Sequence, residues 1–516
     1  MNRWSALAVL VIFAGALAFR LPKLDTRPLH NDEAVNATKV AELWASGRYK
    51  YDPDEYHGPT LHYATVPFLV LSGAANANDL PDQALRYATV FFGAAVILLL
   101  FLFADGLGRQ AIIWSALFIA ISPAMVFYSR YFIHEMLLIF FSAVTIGSGW
   151  RYVQSRSRWW AAWSGVGLGL MFATKETFVL SVAAMGVALV LTMWRAKEKD
   201  ASWKIFLRGI PWKDVGLAVA ATLFVWLLFF SSFFTNFRGL IDSVLTYFPW
   251  LKRASGHSPH IHPWYFYFQR IGWFHPVKGP VFSEALILIL AVIGMVVAFR
   301  RKSPLLHFLA TYSIVLAAIY SLISYKTPWC LLNFYFGFVL LAGVGAAALI
   351  EISRRKLVRV AIALLIIAAT VQLTAQSWRG SYAHASDRRN PYVYAQTVPD
   401  ILNLVERAEG IAKISPQAFE TVIKVVSPES DYWPLPWYLR RFKHVGWYDK
   451  LPDDPYAPIV IVSADLDARL DEKSEKKWIM AGMTELRPTK FLELYVELEL
   501  WKKYVETLPP EPEVDE

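Results

Sequence analysis

Cysteine is almost missing from this chain: Cys330 is the only one in 516 residues, so neither an intrachain disulfide nor a cysteine-based zinc site is available. Charge is scarce too. Only 18% of residues are Asp, Glu, Lys or Arg, against roughly 25% in soluble domains, which argues against a soluble enzyme. No Walker A loop occurs, and no Gly-x-Gly-x-x-Gly follows a strand-like run, so nucleotide binding has no sequence support. What the chain has instead is apolar length: 56% of residues are hydrophobic and mean hydropathy is +0.36.

The net charge of +9 is unevenly placed. Residues 1–376 carry 33 Lys and Arg against 18 Asp and Glu, whereas residues 377–516 carry 18 against 24. A basic excess confined to the apolar part reads as membrane topology rather than nucleic-acid binding. Roughly 20 apolar residues cross a bilayer core, and eleven stretches approach that length: 4–19, 84–104, 110–127, 136–150, 159–172, 178–194, 215–234, 285–299, 305–323, 331–350 and 358–375. Gly15-Ala16-Leu17-Ala18 is compatible with signal cleavage, but ten further stretches favour an uncleaved anchor.

Cations orient the bundle. Arg151, Arg156 and Arg158, the group from Arg195 through Lys197, Lys199, Lys204 and Arg208 to Lys213, then Arg300 to Lys302, and Arg354 to Lys356 all fall on one side if the N-terminus is cytoplasmic. The tail and two long loops, 20–83 and 235–284, then lie outside the cell membrane. The expected architecture is an all-α polytopic bundle, residues 1–376, with a small extracytoplasmic α/β domain over 377–508. An acidic, Pro-rich end, 509–516, is expected to be disordered. In the tail, Ile423–Val426 and Ile459–Val462 read as short strands, with helical stretches at 398–408 and 437–442.

Three cations break the topological bias. Arg130, Lys175 and Lys326 each sit alone in a short outer connection. Snorkelling to the interface explains such residues blandly; binding an anionic headgroup explains their apolar setting better. In the first outer loop, His30-Asn31-Asp32-Glu33 precedes a helical run, and the adjacent acids read either as helix capping or as a carboxylate site. Downstream, Tyr56-His57-Gly58-Pro59-Thr60-Leu61-His62-Tyr63 sets a turn flanked by histidines at no known zinc spacing. His257, His260, His262 and His275 in the second loop read as solvated interfacial histidines more readily than as a metal cluster, so no metal site is assigned.

These motifs together resemble the GT-C superfamily of membrane glycosyltransferases, in particular the protein O-mannosyltransferases and lipid A aminoarabinose transferases. The Asp32-Glu33 pair, Arg86 at the start of the second span, Ser129-Arg130 to Glu135, Thr174-Lys175-Glu176 and Tyr325-Lys326-Thr327-Pro328-Trp329 occur in that family's order, with Glu135 where the family has Asp. Tyr-Lys-Thr-Pro-Trp, and Asp431 to Arg440 in the tail, resemble most closely the prokaryotic flippase-activity-associated proteins. The resemblance implies transfer of a sugar from a polyprenyl-phosphate donor to a glycan, lipid or protein acceptor on the outer face, without a tightly bound cofactor. It makes Asp32, then Glu33, the expected base. His30, His57, His62, Arg86, Arg130, Glu135, Lys175, Tyr325 and Lys326 become expected substrate-binding residues, with Lys326 and Arg130 foremost for the phosphate. The alternative it leaves is a non-catalytic partner of a lipid-linked-oligosaccharide flippase or transporter.

Overall fold

The computed structural model describes residues 2–54, 57–196, 211–255, 260–276 and 278–509. Lys197, Lys199, Lys204, Arg208, His257 and residues 510–516 lie outside the described residues.

Each of the eleven apolar stretches is helical over most of its length, 215–234 ending its helix at Phe230. In chain order the helices that matter here are α1 (Arg3–Arg20), α2 (Asn31–Ser46), α3 (Thr60–Ser72), α4 (Asp82–Leu99), α5 (Arg109–Ile121), α6 (Pro123–Ser129), α7 (Glu135–Ser155), α8 (Arg158–Phe172), α9 (Phe178–Ala196), α10 (Trp212–Phe230), α11 (Ala285–Arg300), α12 (Pro304–Leu322), α13 (Leu332–Glu351) and α14 (Lys356–Trp378). Among the described residues eight helices are long and apolar enough to cross a membrane, or nine when α5 and α6 count as one span bent by 56°. The helices α8 and α11, at 15 and 16 residues, are shorter than a full crossing.

Pro123 causes the α5–α6 bend, because proline cannot donate to the preceding turn. Ser122 caps the new helix, and the buried carboxyl of Glu284, just ahead of α11, pins the break. It accepts from Ser122 Oγ at 2.5 Å, Ala124 N at 3.0 Å, Tyr335 OH at 2.7 Å and Tyr392 OH at 2.5 Å. Among the described residues neutral donors alone satisfy this acid, and burial raises its pKa. Close backbone packing sets the α11–α13 pair: a Cβ on Gly294 or Gly345 would lie 1.9 Å from a carbonyl oxygen of the facing helix.

The tail folds as expected in class and is richer in strands than its sequence suggests. Helix α15 (Asp400–Ile414) precedes a five-stranded sheet of order β2-β1-β3-β5-β4, from β1 (Ile423–Val426), β2 (Val445–Tyr448), β3 (Ile459–Ser463), β4 (Trp478–Arg487) and β5 (Lys490–Glu497). The β1–β2 and β1–β3 pairs are parallel, while β5 runs antiparallel to β3 and β4. All five residues of β3 are buried, as a central strand covered on both faces requires. Ile423, Val425, Ile459 and Ile461 pack toward α15, and Val426, Val460 and Val462 face the other way.

This tail is clasped to the loop between α1 and α4. Trp437 Nε1 and Tyr438 OH donate to the two oxygens of Asp82 at 2.7 and 2.8 Å. Leu29 N donates to Tyr438 OH at 2.7 Å, and Arg440 reaches Leu80 O at 2.8 Å. The aromatic run Asp431 to Arg440 therefore divides: Trp437 is buried as a fastener, Tyr432 packs on Trp447, and Trp433 lines a cavity.

Candidate active site

That cavity, of about 370 Å³, opens where α2, the turn before α3, the α8–α9 turn, the α12–α13 connection and the tail meet. Its polar wall carries Asp32, Lys39, His57, His62, Lys175 and Glu176. Its aromatic wall includes Tyr267, Tyr320, Tyr325, Trp329 and Trp433.

The two adjacent acids have opposite fates. His30 caps α2 by accepting from Asp32 N at 3.0 Å, and the Glu33 carboxylate reaches back to His30 N at 2.9 Å, forming a capping box with histidine in the serine position. Glu33 is fully buried. Its oxygens also accept from Arg27 at 3.1 Å, from Arg86 at 2.8 and 2.9 Å, and from Phe132 N at 2.9 Å. Burial alone would raise its pKa, but Arg27 and Arg86 outweigh it and hold the carboxyl at about 2. Glu33 is thus a buried anchor that does not line the cavity. Asp32, its side chain 39% exposed, does.

Because His30 Nδ1 accepts from the Asp32 amide, the ring is the neutral tautomer that donates Nε2–H to Tyr394 O at 3.1 Å. Burial pushes its pKa down, in agreement. The 3.9 Å approach of His30 to Asp32 is therefore not an ion pair.

On the opposite wall two separated motifs form one unit. Gly58 N donates to Thr174 O and Thr60 N to Ala173 O, both at 3.0 Å, and the Thr60 and Thr174 hydroxyls meet at 2.8 Å. A Cβ at Gly58 would sit 2.1 Å from Ala173 O, so only glycine allows the turns this close. The pairing brings His57 Nδ1 to within 2.9 Å of Glu176 Oε2. Beside it, Lys175 is ion-paired with Glu135, and that partner, outweighing burial, lifts the ammonium pKa above the ordinary lysine range. His134 binds Gly58 O through Nε2 at 3.1 Å, and its ring lies 4.8 Å from that of His57 and 5.7 Å from that of His62. Neither ring nitrogen of His62 has a hydrogen bond among the described residues, and burial holds this histidine at about 3.

The remaining expected residues are placed otherwise. Arg86 belongs to the Glu33 anchor and also donates to the carbonyls of Leu24, Arg27 and Pro28. Arg130 is turned to the carbonyls of Arg20, Pro22 and Lys23, at 2.5, 2.7 and 3.0 Å, and to the ring of Tyr382; it lines a separate water-sized pocket. Lys326 gives its ammonium to the carbonyls of His262 and Ile323, while its neighbours Tyr325 and Thr327 face the cavity. His260 and His262 converge on Tyr394 OH at 2.6 and 3.2 Å, and His275 is exposed elsewhere. Among the described residues no three His, Cys, Asp or Glu side chains are grouped to hold a metal ion. Sequence reasoning passed over Lys39, His134 and Glu176 as site residues, although the last two stand inside the segments Ser129–Glu135 and Thr174–Glu176 that it singled out.

Residues 65–229 match the sequence model of the dolichyl-phosphate-mannose-protein mannosyltransferase family. No curated protein matches the chain significantly by sequence. In structure it is similar to ArnT from Cupriavidus metallidurans in the apo state, with a TM-score of 0.64 at 15% identity over 94% of this chain and 97% of that one. The same protein bound to undecaprenyl phosphate gives 0.63 at 15% identity over the same shares. Archaeal oligosaccharyltransferase AglB from Archaeoglobus fulgidus, in complex with an inhibitory peptide and a dolichol-phosphate, gives 0.60 at 12% identity over 90% of this chain and 70% of that one. A multi-pass helical bundle, a small mixed sheet clasped to its first loop and these structural likenesses together show that the chain shares its fold with ArnT and AglB.

Proposed function

We propose that the protein is an integral-membrane glycosyltransferase that moves a sugar from a polyprenyl-phosphate-linked donor to an acceptor hydroxyl on the extracytoplasmic face. The observation that carries this reading is the cavity itself. It joins an accessible carboxylate, Asp32, to paired cationic groups and to aromatic rings that suit the faces of a sugar. Structures similar to this one hold undecaprenyl phosphate and dolichol-phosphate, which supports a lipid phosphate as donor carrier.

In this reading Asp32 takes the proton of the attacking hydroxyl. The aromatic wall, with Trp433 contributed by the tail, orients the sugar, and Tyr325 borders the same space. Glu33 and Arg86 hold α2 in place instead of touching substrate. Arg130 and Lys326 brace loop carbonyls, and Lys175 acts from within its pair with Glu135. The N-terminus is cytoplasmic, and residues 377–508 form the extracytoplasmic domain. The decisive experiment incubates the purified full-length protein in lipid nanodiscs with a panel of radiolabelled polyprenyl-phosphate sugars. Release of free polyprenyl phosphate, dependent on Asp32, supports the reading. A protein that binds the lipids and releases none would instead be the non-catalytic partner of a lipid-linked-oligosaccharide flippase.

A further inference from the structure

The proposed reaction leaves a second negative charge on the departing phosphate, and the cations singled out in the sequence are largely spoken for. Arg130 gives its hydrogen bonds to backbone carbonyls and Tyr382 OH, Lys326 gives its own to backbone carbonyls, and Lys175 is neutralised by Glu135. One cavity-facing group is differently built. His57 has a 31% exposed side chain that lines the cavity, with its Nδ1 held by Glu176, itself only 4% exposed. The backbone bonds between the Gly58 and Thr174 turns fix this geometry independently of either side chain.

We propose that His57, oriented by Glu176, is the proton donor to the departing phosphate, so that the cavity works with two acid–base groups, Asp32 for the acceptor and His57 for the leaving group. The inference rests on the glycosyltransferase reading above. In the step, the acceptor oxygen bonds to the anomeric carbon as the carbon–oxygen bond to phosphate breaks, and that bond's electron pair stays on the phosphate oxygen. The acceptor proton passes to Asp32, and the Nε2 proton of His57 passes to the phosphate oxygen. Neutral His57 and protonated Asp32 then exchange one proton through solvent to reset the site. Glu176 is a positioning residue: burial would raise its pKa, but His57 beside it prevails and keeps it ionised, so Nδ1 must carry the hydrogen and Nε2 faces the cavity.

The groups around His57 keep fixed charges. His62 is held at about 3 and His134 is driven well below neutrality by burial, so both stay uncharged. Lys175 stays paired with Glu135, and Lys39, on the cavity wall, lies 3.4 Å from Asp52.

The test measures binding of undecaprenyl phosphate to the full-length protein in nanodiscs from pH 5.5 to 8.5. Phosphate titrates in this range in every sample, so the readout is the ratio of variant to wild type. At pH 6 His57→Gln should bind roughly tenfold more weakly, the scale of one charge-assisted hydrogen bond, and the gap should close at pH 8.5. Glu176→Gln should show the wild-type curve displaced to lower pH, which a merely structural role would not produce. His57→Lys, cationic throughout, should restore affinity and flatten the ratio. Alkylation of Cys330, which lines the same cavity, reports that the variants keep it intact. A His57→Gln curve parallel to wild type at every pH overturns the proton-donor role while leaving the function reading standing. Absence of lipid binding by the wild type overturns both.

Discussion

Glu33 and Arg86 face each other through two parallel hydrogen bonds, Arg86 Nε to Oε1 at 2.8 Å and the second guanidinium nitrogen to Oε2 at 2.9 Å, with neither side chain more than 1% exposed. The bidentate geometry fixes the start of α4 against the first turn of α2, the turn that also carries Asp32. An ion pair this deep is a severe liability when halved, because the remaining charge has no water to turn to.

Removing one partner should therefore destabilise the fold and not merely inactivate the protein. Arg86→Ala or Glu33→Gln should cost about 3–5 kcal/mol, read as lost folded yield and lowered Tm in detergent. The pH dependence has a definite sign. Glu33 is held at about 2, below the ordinary value, so its contribution is complete above that ordinary carboxylate value and is lost as pH falls toward 2. Thermal unfolding from pH 7 to pH 3 checks this, and a Glu33→Gln variant should lose the acid-side slope it contributes.

Asp32→Asn should leave folding intact, because capping of α2 uses the Asp32 backbone amide, the His30 ring and Glu33, not the Asp32 carboxylate. Loss of a general base costs about 10²–10⁴ in rate. Sugar release should fall by that factor while binding of undecaprenyl phosphate persists; wild-type turnover would remove Asp32 from the chemistry.

Gly58→Ala tests the joint between the two turns. The added methyl would overlap Ala173 O, so the turns must separate and carry His57 away from Glu176. Activity should drop at least tenfold with a lower Tm, an effect on the order of 1–3 kcal/mol. Gly186→Ala, with nothing within 4 Å, is the matched control and should behave as wild type.

Asp82→Ala removes the acceptor shared by Trp437 and Tyr438. Losing both hydrogen bonds should weaken the clasp by about 2–4 kcal/mol, measured as faster limited proteolysis of residues 377–508 with the helical bundle unchanged.

Reporter fusions after Trp194, Arg301 and Lys356 should give cytoplasmic signals, and a fusion after Ser377 an external one. A cytoplasmic signal at Ser377 would reverse the side on which the cavity opens.

Helices were legible because hydropathy specifies them locally: each apolar stretch is mostly helical, although the break at Ser122 that splits 110–127 into α5 and α6 was not foreseen. The tail was harder. Strand β5, Lys490–Glu497, is built largely of Leu, Glu and Lys, which favour helices in isolation, and pairing with β3 and β4 makes it a strand. Within the site, Asp32 and Glu33 are indistinguishable as letters. Their division depends on Arg86, 53 residues away, meeting one of them. Arg130 and Lys326 looked like free cations because their sequence neighbours are apolar, whereas their partners are mostly backbone carbonyls that no side-chain pattern records. The His57 and Lys175 motifs were each visible, but their union across the Gly58 turn is a tertiary fact.

The tail's clasp also orders events during synthesis. Tyr394, whose carbonyl fixes the His30 tautomer, follows that histidine by 364 residues, and Trp433 comes later still. At about 5–20 residues per second, roughly 20–80 s separate the appearance of Asp32 from that of the wall facing it. A nascent chain thus holds its carboxylate in an unfinished cavity until the sheet has folded and docked, and chains interrupted before Trp433 would reach the membrane with that cavity unclosed.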